Sequence, residues 1–168
     1  MAPARVLVSA CLLGERVRYN GSDAATESPI LARWLAEGRV VPFCPEVAGG
    51  LGVPRPAAEL QGGDGEAVLA GAGRVATEGG VDVTESFLRG ARLCLDAALA
   101  ENVRVAVLKD GSPSCGSSSI HDGAFRGGRV AGRGVTAALL ERRGIRVFSE
   151  RELDEAAEYL DRLDRGGA

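Results

Sequence analysis

Short runs of aliphatic and β-branched residues alternate along the chain with longer stretches whose apolar residues recur at helical spacing. The strand-like runs lie at residues 5–9, 40–43, 103–108 and 145–148. The helical stretches lie at residues 25–38, 136–143 and 150–163, together with the longest, which opens at residues 82–85 with Thr84 as its N-cap. This alternation predicts an α/β domain built around a mostly parallel sheet.

Two segments, residues 45–80 and 109–134, are rich in glycine and lack a clear period. We expect loops there, apart from a short strand at residues 73–77. Glycine makes up 24 of the 168 residues, about twice its usual share of roughly 7%. Such an excess indicates many tight turns, or backbone that approaches a ligand closely.

Composition narrows the class of protein. A length of 168 residues suits one domain, so we expect a single domain over residues 1–168. No apolar run approaches the roughly 20 residues of a membrane helix, and the N-terminus does not resemble a signal peptide, so a cytoplasmic protein without membrane contact is expected. A net charge of −3 argues against general binding of nucleic-acid phosphates.

Three of the four cysteines follow predicted strands. Cys11 comes after the first strand, Cys44 after the second and Cys115 after the third. Because the carboxyl ends of parallel strands share one edge, the three thiols should converge there. Each could be a small buried hydrophobe if taken alone, but the repeated context favours a shared metal-binding or catalytic role. Cys94 lies on the apolar stripe of the longest helix and is predicted to be a core residue.

The ligand count restricts the metal. Thiolates suit zinc, copper(I) and iron–sulfur clusters, and a closed zinc site needs four protein ligands. The only histidine, His121, stands in a glycine-rich loop, and we expect it on the surface rather than at a metal. Three thiolates can instead hold a [4Fe–4S] cluster and leave one iron open to substrate as a Lewis acid.

Three long motifs make the chain similar to a known family. They are Ala-Cys-Leu-Leu-Gly-Glu-Arg-Val-Arg-Tyr-Asn-Gly at 10–21, Cys-Pro-Glu-Val-Ala-Gly-Gly-Leu-Gly-Val-Pro-Arg-Pro-Ala-Ala-Glu at 44–59, and Leu-Lys-Asp-Gly-Ser-Pro-Ser-Cys-Gly at 108–116. Together with shorter matches, including Asp-Gly-Ala-Phe at 122–125, they resemble the thiouracil desulfidase family over residues 5–153.

The resemblance implies a single Rossmann-like, three-layer domain whose [4Fe–4S] cluster is held by Cys11, Cys44 and Cys115. It also implies hydrolytic, non-redox removal of sulfur from thiouracil, giving uracil and sulfide, with Glu46 and Ser112 as the catalytic pair. A two-domain relative acts on thiouridine in tRNA. Because that extra domain is missing here, we expect a small thiolated pyrimidine as the substrate rather than tRNA.

The chemistry assigns roles to these side chains. Glu46 could activate water as a general base, although a carboxylate there would also suit a helix N-terminus. Ser112 could relay a proton or bind the pyrimidine, although it could equally be a turn residue before Pro113. Lys109, at the end of the third strand, could pair with Glu46 or offset the charge of the cluster, or it could simply be solvated.

Further residues have weaker assignments. Tyr19 could stack on a base and Asn20 could hydrogen-bond to it, but Asn20-Gly21 is also a common turn sequence. Arg55 and Glu59 are expected to form a structural ion pair.

Two alternatives from other classes stay open. One is a cluster-free sulfur-transfer enzyme in which Cys115 is a nucleophile of low pKa. The other is a non-enzymatic module that binds an iron–sulfur cluster or zinc. The sequence leaves the oligomeric state and the preference for 2-thio or 4-thio compounds undetermined.

Overall fold

The computed structural model describes residues 3–166 and contains a central sheet of four parallel strands. In spatial order these strands are β2 (Val40–Phe43), β1 (Arg5–Ser9), β5 (Val103–Leu108) and β8 (Arg146–Ser149). All three pairings are parallel. The predicted α/β fold with a mostly parallel sheet is therefore confirmed.

Helices cover both faces of this sheet. The six α-helices of residues 3–166 are α1 (Pro29–Ala36), α2 (Pro45–Ala48), α3 (Gly65–Leu69), α4 (Thr84–Ala100), α5 (Val135–Arg142) and α6 (Leu153–Asp164), of which α2 packs against α4 and α3 packs against α5. Alternate residues of β1 point to opposite faces. Val6 and Val8 pack in one core cluster with Trp34 of α1, whereas Leu7 packs in another with Leu140 of α5. Two apolar layers thus enclose β1, which explains its unbroken apolar sequence.

The two segments expected to be loops contain two short helices that were not predicted, α2 and α3, and two short antiparallel hairpins. The first hairpin pairs β3 (Ala58–Gln61) with β4 (Arg74–Thr77), and the second pairs β6 (Ser119–His121) with β7 (Arg129–Ala131). The strand expected at 73–77 is confirmed as β4, but the other three strands were missed. They are only three or four residues long, and every residue of β7 is exposed, so they are too short to show a clear apolar period.

The four predicted helices all begin one to four residues away from their predicted starts, since α5 begins at Val135 rather than at residue 136 and α6 at Leu153 rather than at residue 150. Helix α1 begins at Pro29 rather than at residue 25, because Ser28 Oγ accepts the N–H groups of Ile30 and Leu31 and the proline ring suits the first helical position. Thr84 is the first residue of α4 and not its N-cap. Its N–H donates to Asp82, and its hydroxyl oxygen accepts the N–H of Val75 on β4.

The connections on either side of β1 create a crevice. Helix α1 connects β1 to β2 on one face of the sheet, whereas α5 connects β5 to β8 on the other face. The two connections therefore diverge from the neighbouring strands β1 and β5. Ligands of open α/β sheets bind where the connections diverge in this way, at the carboxyl ends of the strands. Among residues 3–166, none of the helices combines the length and the apolar character needed to span a bilayer.

Candidate active site

A cavity of about 300 Å³ lies at the carboxyl ends of β1, β2 and β5. This size is at the lower end of the range for small-molecule sites, roughly 300–1,000 Å³. Cys11, Cys44 and Cys115 all line it, although the first and the last are 104 positions apart in the chain. Cys94 is not among the lining residues, and it is buried in the core on α4, as expected.

Cys11 lies in a 3₁₀ helix, Ala10–Leu13, that continues directly from β1. The carbonyl oxygen of Cys11 accepts the N–H groups of Gly14 and Ala24, which fixes the backbone on both sides of the following loop. Burial raises the pKa of its thiol to about 11, and the nearby Cys44 contributes in the same direction. The sequence therefore places a buried sulfur at the end of the central strand.

Cys44 is the N-cap of α2, whose first residue is Pro45. Burial raises the pKa of the Cys44 thiol, and the backbone N–H groups of Val47 and Glu46 oppose that shift. The backbone of α2 lies directly against that of α4, since a Cβ atom at Gly90 would overlap the carbonyl of Pro45. These glycine contacts fix the depth at which Cys44 enters the cavity.

Cys115 lies in the loop after β5. Ser112 Oγ accepts the N–H groups of Ser114 and Cys115, each at 3.1 Å, and the Ser114 hydroxyl hydrogen-bonds Thr136 of α5 at 2.8 Å. Burial raises the pKa of the Cys115 thiol well above its ordinary value, while a hydrogen bond with the Ser9 hydroxyl lowers it. Ser112 therefore shapes the turn that presents Cys115, and it also lines the cavity.

This donor set fits a multi-iron cluster. Cys11, Cys44 and Cys115 line one cavity, and the charges of Cys11 and Cys44 each raise the pKa of the Cys115 thiol. Within the described part of the chain, however, no three His, Cys, Asp or Glu side chains form a group that could hold one metal ion. In a [4Fe–4S] cluster each thiolate binds a different iron, which spreads the ligands farther apart than around a single ion.

Glu46 of α2 also lines the cavity. Burial raises the pKa of its carboxyl, an effect that Arg55 opposes from 3.3 Å. The expected ion pair between Arg55 and Glu59 was wrong. Arg55 pairs with Glu46 and donates to the carbonyls of Val17 and Gly52. Its backbone N–H donates to the carbonyl of Tyr19, which holds this loop beside the segment that follows Cys11.

Lys109 does not pair with Glu46, in contrast to one expectation. Its Nζ atom lies 2.9 Å from a carboxylate oxygen of Glu150, just beyond β8. The backbone N–H of Lys109 donates to Ser9 Oγ at 3.0 Å, which joins the ends of β1 and β5. Strand order explains this choice, since β8 is the immediate neighbour of β5.

Asp110 is an organising residue that the sequence analysis missed. Its buried carboxylate accepts the N–H groups of Ser117, Ser118 and Ser119, the hydroxyls of the latter two, and Arg151 at 2.7 Å. Burial alone would raise the pKa of Asp110, but these donors hold it well below its usual range. The run of three consecutive serines at 117–119 was the available signal in the sequence, since their N–H and hydroxyl groups need a nearby acceptor.

We expect Asp110→Asn to lower the free energy of unfolding by about 1–3 kcal/mol at neutral pH, because donors to the buried carboxylate lose their acceptor. A carboxyl whose pKa is depressed on folding stabilises above its unfolded pKa, near 4, and loses this contribution as the pH falls below it. The difference from wild type should therefore shrink in acid. Urea unfolding from pH 7 to pH 3 measures it, with Asp96→Asn on the exposed face of α4 as control. A constant difference would contradict this role.

Other predicted residues fall in different places. His121 is not in a surface loop but in β6, where it lines the cavity, and its buried Nδ1 atom has no hydrogen-bond partner among the described residues. Tyr19 lines the cavity and is 43% exposed. Asn20 accepts the N–H and hydroxyl of Ser22, so it forms a turn.

Comparisons with known proteins found relatives that match along nearly the whole chain. The family model described as 2-thiouracil desulfurase matches residues 6–152. The uncharacterized protein YbbK of Bacillus subtilis (strain 168) is 47% identical over 150 residues, which are 89% of this chain and 98% of the relative. The solved structure of the [4Fe–4S]-dependent thiouracil desulfidase TudS is 52% identical and has a TM-score of 0.87, over 94% of this chain and 98% of that chain.

Proposed function

Because this chain belongs to the 2-thiouracil desulfurase family, we propose that it is a [4Fe–4S]-dependent desulfidase that hydrolyses thiouracil-type pyrimidines. The reaction exchanges the thiocarbonyl sulfur for the oxygen of water, so that thiouracil and water give uracil and hydrogen sulfide. Neither carbon nor sulfur changes its oxidation state. One domain holds both the cofactor and the substrate in this proposal.

The observation that supports it is the shared cavity. Three thiols from three strand ends line the same space as Glu46 and Ser112. We assign Cys11, Cys44 and Cys115 as the cluster ligands. A cluster with one iron free of protein thiolate supplies a soft Lewis acid that attracts thiocarbonyl sulfur.

The remaining chemistry falls to the chain's own side chains. Glu46 takes a proton from the attacking water, and Arg55 holds its carboxylate in place. Ser112 Oγ already accepts two N–H groups, so its hydroxyl hydrogen is free to donate to the pyrimidine. Tyr19 supplies an apolar wall beside the ring. The small cavity suits a free pyrimidine better than a polynucleotide.

The alternative with Cys115 as a nucleophile gains no support. A nucleophilic cysteine needs a depressed pKa and access to substrate. Cys115 is only 6% exposed, and burial raises the pKa of its thiol.

The test is sulfide release under anaerobic conditions. Protein reconstituted with iron and sulfide is incubated with 2-thiouracil and 4-thiouracil, and hydrogen sulfide and uracil are quantified. We expect equal amounts of both products from at least one substrate, and none from protein without iron. Activity without iron would favour the cluster-free enzyme, and fully loaded protein that releases no sulfide would favour a binding module.

A further inference from the structure

The distribution of aromatic residues singles out one wall of the cavity. The chain has seven aromatic residues. Five of them are buried in the core or pack against it: Trp34, Phe43, Phe87, Phe148 and Tyr159. The other two, Tyr19 and Phe125, belong to none of the core clusters of residues 3–166, and both line the cavity. These two rings therefore contribute to the wall of the cavity and not to the packing of the hydrophobic core.

The backbone of Phe125 is held in an unusual conformation. Its φ is 57°, in the left-handed region that bulky residues rarely adopt. Such a conformation persists only when its surroundings enforce it, and it is concentrated at ligand clamps and active sites. Phe125 lies in the loop that joins β6 to β7, which gives it no other constraint from regular structure.

Glu59 supplies that constraint. One of its carboxylate oxygens accepts the N–H of Gly123 at 2.9 Å and the N–H of Phe125 at 3.2 Å. Gln61, on the same strand β3, donates to the carbonyl of Gly123 at 2.9 Å. Glu59 is itself buried, at 8% exposure, so the loop is fastened to the strand by an acceptor that water does not reach freely. The backbone that carries the phenyl ring is thereby held at the cavity wall.

We propose, on the basis of the function above, that Phe125 is the surface on which the pyrimidine ring stacks and that Glu59 is its positioning residue. A flat heterocycle gains substantially from an aromatic face, and this gain does not depend on its exocyclic atoms. Phe125 thus recognises the ring, while the sulfur and the polar edge are left to other groups. The half-exposed Tyr19 is less constrained and plays the smaller part.

Phe125→Leu tests the stacking. Leucine keeps an apolar side chain and meets the same left-handed backbone, so only the aromatic face is lost. We expect KM for thiouracil to rise about 10- to 100-fold, with kcat within about threefold of wild type. Phe125→Tyr retains an aromatic face, so its KM should stay close to the wild-type value. Val81→Ala, at an exposed position outside the cavity, serves as the control. An unchanged KM in Phe125→Leu overturns the proposal.

A pair of ligands separates stacking from polar recognition. Uracil is flat and aromatic, whereas 5,6-dihydrouracil has the same polar edge on a puckered ring. Calorimetry on the cluster-loaded wild-type protein should show that uracil binds more tightly than 5,6-dihydrouracil. In Phe125→Leu the ratio of the two dissociation constants should fall about tenfold. Equal binding of the two compounds to wild type would overturn the proposal. Preference for uracil without any sulfide release would instead reject the desulfidase function and retain the stacking surface.

The role of Glu59 has its own readout. Glu59→Ala should raise KM as Phe125→Leu does. The KM of the double variant should not exceed that of Phe125→Leu, because both changes remove the same stacking interaction. Glu59→Gln keeps an acceptor oxygen and should remain close to wild type, which separates positioning from a need for charge. Additive effects in the double variant, or an intact uracil preference in Glu59→Ala, would contradict the positioning role. If Glu59→Ala does not fold, a loss of uracil preference in Glu59→Gln gives the same contradiction.

Discussion

Replacing Cys11, Cys44 or Cys115 with alanine, one at a time, is expected to abolish cluster retention and sulfide release together. Each thiolate would bind a different iron, and a cluster already short of one protein ligand would be left with two. The fold should survive, because each change removes a single sulfur atom, although Cys11 and Cys115 belong to the core clusters and their loss should lower the stability slightly. Iron and acid-labile sulfide per chain, read with the absorbance of the cluster, measure retention.

Cys94→Ala is the matched control for these variants. Cys94 is fully buried on α4, where burial raises the pKa of its thiol to about 12, and it lies outside the cavity. Its replacement should leave iron content and activity at the wild-type level and lower only the stability, through a small core cavity. A Cys94→Ala protein that loses its cluster, beside a Cys11→Ala protein that keeps one, would reverse the assignment.

Glu46→Gln is expected to lower kcat by about 10²- to 10⁴-fold, the usual contribution of a positioned acid–base group. The substitution preserves shape, and Arg55 retains its carbonyl acceptors at Val17 and Gly52, so the site should stay assembled. Iron content and the cluster spectrum should match the wild type, and only turnover should fall. Normal turnover in Glu46→Gln would mean that another group activates the water.

Ser112→Ala would be a less selective variant than Glu46→Gln. Ser112 Oγ accepts the N–H groups of Ser114 and Cys115, so its removal disturbs the turn that presents a proposed ligand. Ser112→Thr retains an acceptor at this position and separates the two roles. Cluster retention is therefore measured alongside kcat for both variants.

The parts of the fold that the sequence predicted are those in which burial dictates the pattern. The strands β1 and β5 are apolar because both of their faces are covered, and Cys94 follows the apolar stripe of α4. The convergence of three cysteines followed from one topological rule, that parallel strands end at one edge. These features needed no knowledge of side-chain partners.

The parts that the sequence did not predict depend on polar partners far apart in the chain. Asp110 is an organising residue only because a turn brings three serine N–H groups to its carboxylate. Arg55 could have paired with either nearby glutamate, and the path of its loop selects Glu46. Such choices depend on the direction of hydrogen bonds in the folded chain, which residue type and spacing do not encode.

The place of β1 in the middle of the sheet has a consequence for the order of events during synthesis. Its partner β2 follows within a few dozen residues, but its other partner, β5, emerges only after residue 103. On the ribosome, β1 and β2 can therefore pair, and bring Cys11 and Cys44 together, before β5 has been made. Until then the other edge of β1 has no partner, which exposes the nascent chain to pairing with other chains. Cys115 is synthesised after β5, so the third thiol joins last. The cavity can therefore present all three thiols only after β5 and the loop that follows it have been synthesised.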